Sequence, residues 1–118
     1  MAYAGRVRPK GSCRVAFDVG AAPFIVAGTN NGYFTEPLVD VAPGVVQMDL
    51  NRTAVGLPAP ANGLAPQDTI IVTPEGVAAT IAVVERVSAT RIVVRLFTEL
   101  GVAADIPYAI QVYGVFQG

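Results

Sequence analysis

Three observations predict an all-β domain, an antiparallel sandwich of about eight strands. Apolar residues recur at every second position along most of the chain. Val, Ile and Thr crowd those runs, and clusters of Gly, Pro and Asn separate them. No segment carries a helical stripe with capping residues at its ends. With 118 residues there is room for one domain.

The chain opens on a basic stretch. Arg6, Arg8, Lys10 and Arg14 are four of the eight positive charges, and no acid precedes Asp18. Residues 1–12 are therefore assigned to a basic N-terminal arm and residues 13–118 to the single sandwich domain. The plainer reading of this arm is a solvated terminus. The functional one is a basic segment lying on an acidic neighbour. Four dispersed charges without interleaved aromatics argue against a nucleic-acid partner.

In "CRVAFD", Cys13, Val15 and Phe17 face one way and Arg14, Ala16 and Asp18 the other. "FIVAG" is a short buried run after Pro23, and "GTNNGYF" supplies residues that tolerate positive φ and so suit a reversal. "EPLVDVAPGVVQMDL" reads as two strands around a Pro43-Gly44 turn, with Val46, Met48 and Leu50 opposing Gln47 and Asp49. Thr53 to Gln67 is uncharged, has three prolines and two glycines, and predicts a long surface loop that could reach a neighbouring subunit.

"TIIVT" is a short buried strand closed by a "PEG" turn. "VAATIAVVERV" tolerates either a helix or a strand, and its β-branched residues favour strand. In "TRIVVRLF", Ile92, Val94 and Leu96 form the core face, leaving Arg91, Val93, Arg95 and Phe97 on the other. That arginine face is either the solvated outside of an antiparallel sheet or an ion-pairing surface for acids of another subunit. "TELGVAAD" is a loop around Gly101, and "IPYAIQVYGVF" ends the sheet with Tyr108, Ile110 and Val112 on one side.

Composition narrows the function. Apolar residues make up 53% of the chain and charged residues only 14%, against about 25% charged in an average soluble domain. A core this small cannot hold the excess, so subunit or partner interfaces are its expected destination. A membrane span is excluded in the Val/Ile-rich region by the close spacing of Glu85, Arg86, Arg91 and Arg95. No N-terminal segment has the pattern of a cleaved signal.

Histidine is absent, which removes Ser-His-Asp and Cys-His catalysis and the usual zinc sites. No phosphate-binding glycine loop and no EF-hand pattern occurs. The lone Cys13 is expected to be a buried strand residue rather than a reactive thiol. The expectation is a protein without cofactor or metal and without enzymatic activity. The aromatics Tyr33, Phe34, Tyr108, Tyr113 and Phe116 are expected mainly in packing.

The segments "DTIIVTPEG" and "AATIAVVERVSATRIVVRLFTELGVAADIPYAIQVYG" resemble the C-terminal halves of small structural virion proteins of tailed bacteriophages. In those, a strand ending in a turn is followed by two Val-rich strands, a Gly-containing loop and a final strand ending near Val-Tyr-Gly. The resemblance covers roughly the last half of the chain and includes no catalytic or ligand motif. It implies a jelly-roll-like sandwich that oligomerises, with a trimer favoured, on a capsid or tail. Decoration (cement) proteins that bind the major capsid protein and stabilise the head fit this best. A head-fibre or tail-tip knob that binds a receptor or carbohydrate is the alternative. It further implies synthesis in the host cytoplasm and residence on the virion. Arg6, Arg8, Lys10, Arg14, Arg91 and Arg95 are then the candidate partner-binding residues.

Overall fold

The computed structural model describes residues 5–18, 22–50, 64–76 and 79–117. Eight strands occur among them and no helix: β1 (Gly5–Ala16), β2 (Phe24–Ile25), β3 (Phe34–Ala42), β4 (Val45–Leu50), β5 (Thr69–Pro74), β6 (Thr80–Ser88), β7 (Arg91–Thr98) and β8 (Tyr108–Gln117). They form two four-stranded antiparallel sheets, ordered β2-β1-β8-β5 and β3-β4-β7-β6. The long surface loop expected at 53–67 falls outside the described residues up to position 63.

Alternation decides which side chains enter the core. The first sheet contributes Cys13, Val15, Ile25, Tyr108, Ile110 and Val112, and the second Phe34, Val46, Met48, Leu50, Ile92, Val94 and Leu96. These are the faces the period-two pattern selects in β4, β7 and β8. Each fully buried aliphatic side chain contributes about 1.5–3 kcal/mol of hydrophobic stabilisation. The two sheets also touch through a polar contact in the core, where the Tyr108 hydroxyl donates to Met48 Sδ at 3.2 Å. Tyr33 and Phe34 pack edge to face with centroids 5.2 Å apart. The segment that tolerated either helix or strand is β6, hydrogen-bonded to β7 from Thr80 to Ser88.

The start of β1 differs from the sequence expectation. Residues 5–12, read as part of an arm, are sheet and pair with β8 from Gly5↔Gln117 onward. The pattern hides this because the register shifts between Pro9 and Gly11. A bulge there inserts Lys10 and breaks the alternation. Gly11 is required at the bulge, since a Cβ on it would overlap the Tyr33 ring. Residues 1–4 of the expected arm lie outside the described residues.

Beyond the bulge no other described strand pairs with the two. β5 pairs with β8 only over residues 108–113 and β2 with β1 only at Val15 and Ala16, so among the described strands residues 5–8 and 114–117 form a two-stranded ribbon at one end. The molecule measures 50 × 27 × 24 Å.

The loop between β2 and β3 closes the middle of the β1 edge with side chains. Asn31 Nδ2 donates to the Lys10 carbonyl at 3.1 Å, Asn31 Oδ1 accepts from the Ser12 amide at 3.4 Å, and Thr29 Oγ1 accepts from the Arg14 amide at 3.1 Å. The predicted Pro43-Gly44 turn is present. Gly44 has φ of 72° and its amide donates to Asp105 Oδ1 at 2.8 Å, pinning the turn to the loop before β8. A Cβ at this position would come within 2.7 Å of backbone atoms of Leu96 and Ala104.

Candidate interaction surface

The six basic residues singled out by the sequence do not form one patch. Arg6 and Arg8 lie on the ribbon, and their side chains are outside the described residues. Lys10 turns inward at the bulge and is 2% exposed. Its Nζ lies 2.6 Å from Asp68 Oδ2, an ion pair whose two side chains are both 2% exposed. Arg14, at the opposite end of β1, pairs with Glu75. Arg91 and Arg95 stand on the outer face of the second sheet, as the alternation predicts.

Lys10 and Asp68 belong to a latch between the sheets. Asp68 Oδ2 also accepts from the Ala65 amide at 2.8 Å, which folds the loop before β5 around the carboxylate. Arg86 of β6 reaches across to donate to the carbonyls of Ala65, at 3.1 Å, and Asp68. Lys10 from the first sheet and Arg86 from the second therefore grip one loop. Gly114 leaves the space this needs, since a Cβ there would sit 2.5 Å from Lys10 Cδ. Burial raises the Tyr33 phenol above its ordinary value, the nearby Asp68 charge adds to this, and Arg86 opposes it. No single residue type signals such a latch in sequence, because its members are 18 and 58 positions apart.

The outer face of the second sheet is different in kind. Reading across strands in register, Arg91 lies opposite Asp49, Val93 opposite both Gln47 and Glu85, and Arg95 opposite both Val45 and Val83. Arg91 Nε donates to Asp49 Oδ1 at 2.8 Å, and Arg95 Nη2 to Glu85 Oε1 at 3.2 Å. The hydrogen bond to Asp49, before its charge, raises the pKa of the Arg91 guanidinium. Both arginines are thus matched within their own sheet. The face is electrically balanced.

What it offers a partner is apolar. Ile81, Val83 and Val87 of β6 are each about half exposed, as are Val39 and Val41 of β3. Val93, in the middle of the face, is 9% exposed, flanked by four long side chains whose stems cover apolar surface. Sequence reading passed over these residues for a physical reason. In β6 both alternating sets are apolar, Ile81 and Val83 on one side and Ala82 and Val84 on the other, so periodicity alone cannot say which side meets solvent.

Comparisons with family models, with curated proteins and with solved structures return no match. The surface must speak for itself. Cys13 is buried, and burial, with a smaller contribution from Glu36, pushes its thiol up to about 12, which leaves it protonated and unreactive at neutral pH. Tyr33, Phe34 and Tyr108 are buried in the core. Among the described residues no group of three or more Cys, Asp and Glu is placed to hold a metal ion.

Proposed function

We propose that this chain is a structural virion protein of a tailed bacteriophage. In this reading it is a capsid decoration (cement) protein that binds the major capsid protein as a homo-oligomer, with a trimer favoured, and stabilises the head surface. It is made in the host cytoplasm, resides on the virion and acts by contact rather than by catalysis. The observation that carries the reading is the outer face of β3-β4-β7-β6. Exposed Ile81, Val83, Val87, Val39 and Val41 surround arginines that their own sheet neutralises. Such a face loses apolar exposure on docking without stranding a charge.

The resemblance of residues 68–114 to small virion proteins supplies the partner. The jelly-roll-like part of the reading rests on the pairing of β1 with β8 in the middle of one sheet. The hairpins β3–β4 and β6–β7 are local and belong to a simpler meander. The basic arm survives in this reading as the ribbon end carrying Arg6 and Arg8.

The alternative, a receptor- or carbohydrate-binding knob, would draw on Tyr113, whose hydroxyl donates to Gln111 Oε1 at 3.3 Å beside it on β8. The two readings separate in one experiment. Heads purified from a phage lacking this chain are heated with and without added protein, and DNA release is followed. Added protein is expected to raise the release temperature, and Val83→Asp with Val93→Asp is expected to abolish the gain. Unchanged heads together with glycan-array binding would replace decoration with the knob.

A further inference from the structure

The two ends of the sandwich carry opposite charge. At one end, where β5 and β7 finish and β6 and β8 begin, the walls of an open cleft of about 520 Å³ combine Leu100, Ile106 and Pro107 with the acids Glu75, Glu99 and Asp105. Glu75 is paired with Arg14. Asp105 accepts from the Gly44 amide, and among the described residues neither Asp105 nor Glu99 has a basic partner. The cleft lies within the range of about 300–1,000 Å³ over which pockets enclose ligands.

At the other end, the ribbon carries Arg6 and Arg8, and Arg86 is held by carbonyl oxygens rather than by a carboxylate. Lys10 and Asp68 neutralise each other there, as do Arg91 and Asp49. Among the described residues one end keeps acids without basic partners, and the sequence places Arg6 and Arg8 at the other.

We propose that the ribbon end of one copy, with residues 1–8, docks into the acid-bearing cleft of a second copy. Charge complementarity selects this occupant. Residues 1–8, "MAYAGRVR", are a segment that joins two arginines to apolar side chains with no acid. Val7 is 69% exposed on the ribbon and matches the apolar part of the cleft lining. The chain cannot fill its own cleft, because the twelve residues of β1 hold the two ends about 40 Å apart at the rise of an extended strand. The contact is therefore heterologous, head to tail. It closes into a ring when the rotation between copies permits and otherwise continues as a filament. The proposal deepens the self-assembling part of the function above. Its test uses isolated protein, so it can fail while head binding stands, and the reverse.

Light scattering on the purified chain at about 50 mM and about 500 mM salt measures the assembly, since screening shortens from roughly 14 Å to 4 Å over that range. Association is expected at low salt and dissociation at high salt. Arg6→Glu with Arg8→Glu, and separately Glu99→Lys, are each expected to weaken association at least tenfold while leaving thermal unfolding unchanged. Glu99 lies in an exposed turn, so its reversal spares the fold. Mixing the two variants is expected to restore a complex, because the reversed ribbon meets the reversed cleft. A wild type that stays monomeric at low salt, or assembly indifferent to both reversals, would overturn the proposal. So would failure of the mixed variants to associate, which would assign the cleft to a different basic partner.

Discussion

The molecule holds the same kind of ion pair in two places and uses it in opposite ways. Lys10 and Asp68 meet at 2.6 Å with both side chains 2% exposed, whereas Arg91 and Asp49 meet at 2.8 Å with both more than two-fifths exposed. In water the two partners of the second pair are nearly as content apart. In the core, the partners of the first are not, because each charge would be stranded without its hydration shell. The buried pair therefore commits β1, the loop before β5 and, through Arg86, β6 to one arrangement. The exposed pairs of Arg91 and Arg95 commit nothing structurally and instead keep the outer face of the second sheet neutral. Similar chemistry yields a latch inside and a quiet surface outside, and solvent access is what separates them.

The sharpest way to break this contrast is to remove one partner at a time. Lys10→Met is expected to destabilise the fold by about 3–5 kcal/mol, the usual cost of leaving a buried charge alone. Urea unfolding measures it. Adding Asp68→Leu to Lys10→Met should recover part of that loss, though not the hydrogen bond from the Ala65 amide. A loss below 1 kcal/mol in the single variant would mean that water reaches the latch and that the contrast is false.

Alkaline titration probes the same interior with a neutral group. Burial raises the Cys13 thiol from 9.0 to about 12, so the unfolded chain releases this proton first. The stabilisation from keeping it protonated is complete below about pH 9 and is lost as pH rises towards 12, with a slope of about 1.4 kcal/mol per unit. Replacing Cys13 with Ala should flatten that part of the pH–stability curve. The same variant supplies the control for thiol-reagent labelling, which should be slow in the native wild type at pH 8.

The smallest effect is expected on the outer face. Arg91→Gln and Asp49→Asn should each leave the urea midpoint almost where it is in the wild type, as exposed pairs do, and the coupling between them should shrink further in salt. A double-mutant cycle reads it directly. A coupling that persists undiminished in high salt would show that the face is more enclosed than its exposure indicates.

What the sequence disclosed follows the same boundary between solvent and core. Ile92, Val94 and Leu96, and likewise Tyr108, Ile110 and Val112, were legible because they alternate with sets that carry Arg91 and Arg95, or Gln111 and Tyr113. β1 was legible only from Cys13 onward. Before it, Pro9, Lys10 and Gly11 carry a bulge that destroys the period, and a lysine reads as solvent-facing whether or not an aspartate 58 residues later waits for it. The candidate surface was half visible. Arg91 and Arg95 were placed on the correct face, but their partners Asp49 and Glu85 lie on neighbouring strands, and only the register brings them within reach. In β6 the uniform valine and isoleucine content concealed the exposed set altogether.

The pairing of β1 with β8 also sets an order of events during synthesis. β3, β4, β6 and β7 can leave the ribosome and close their sheet through two hairpins and one longer contact. β1 emerges first and yet has almost no sheet partner until β8 follows it, roughly a hundred residues later, a delay of several seconds at typical elongation rates. Throughout that interval Cys13, Val15 and the lysine destined for the core must stay in water or in the care of a chaperone. The first strand of the sandwich waits for the last one to complete its sheet.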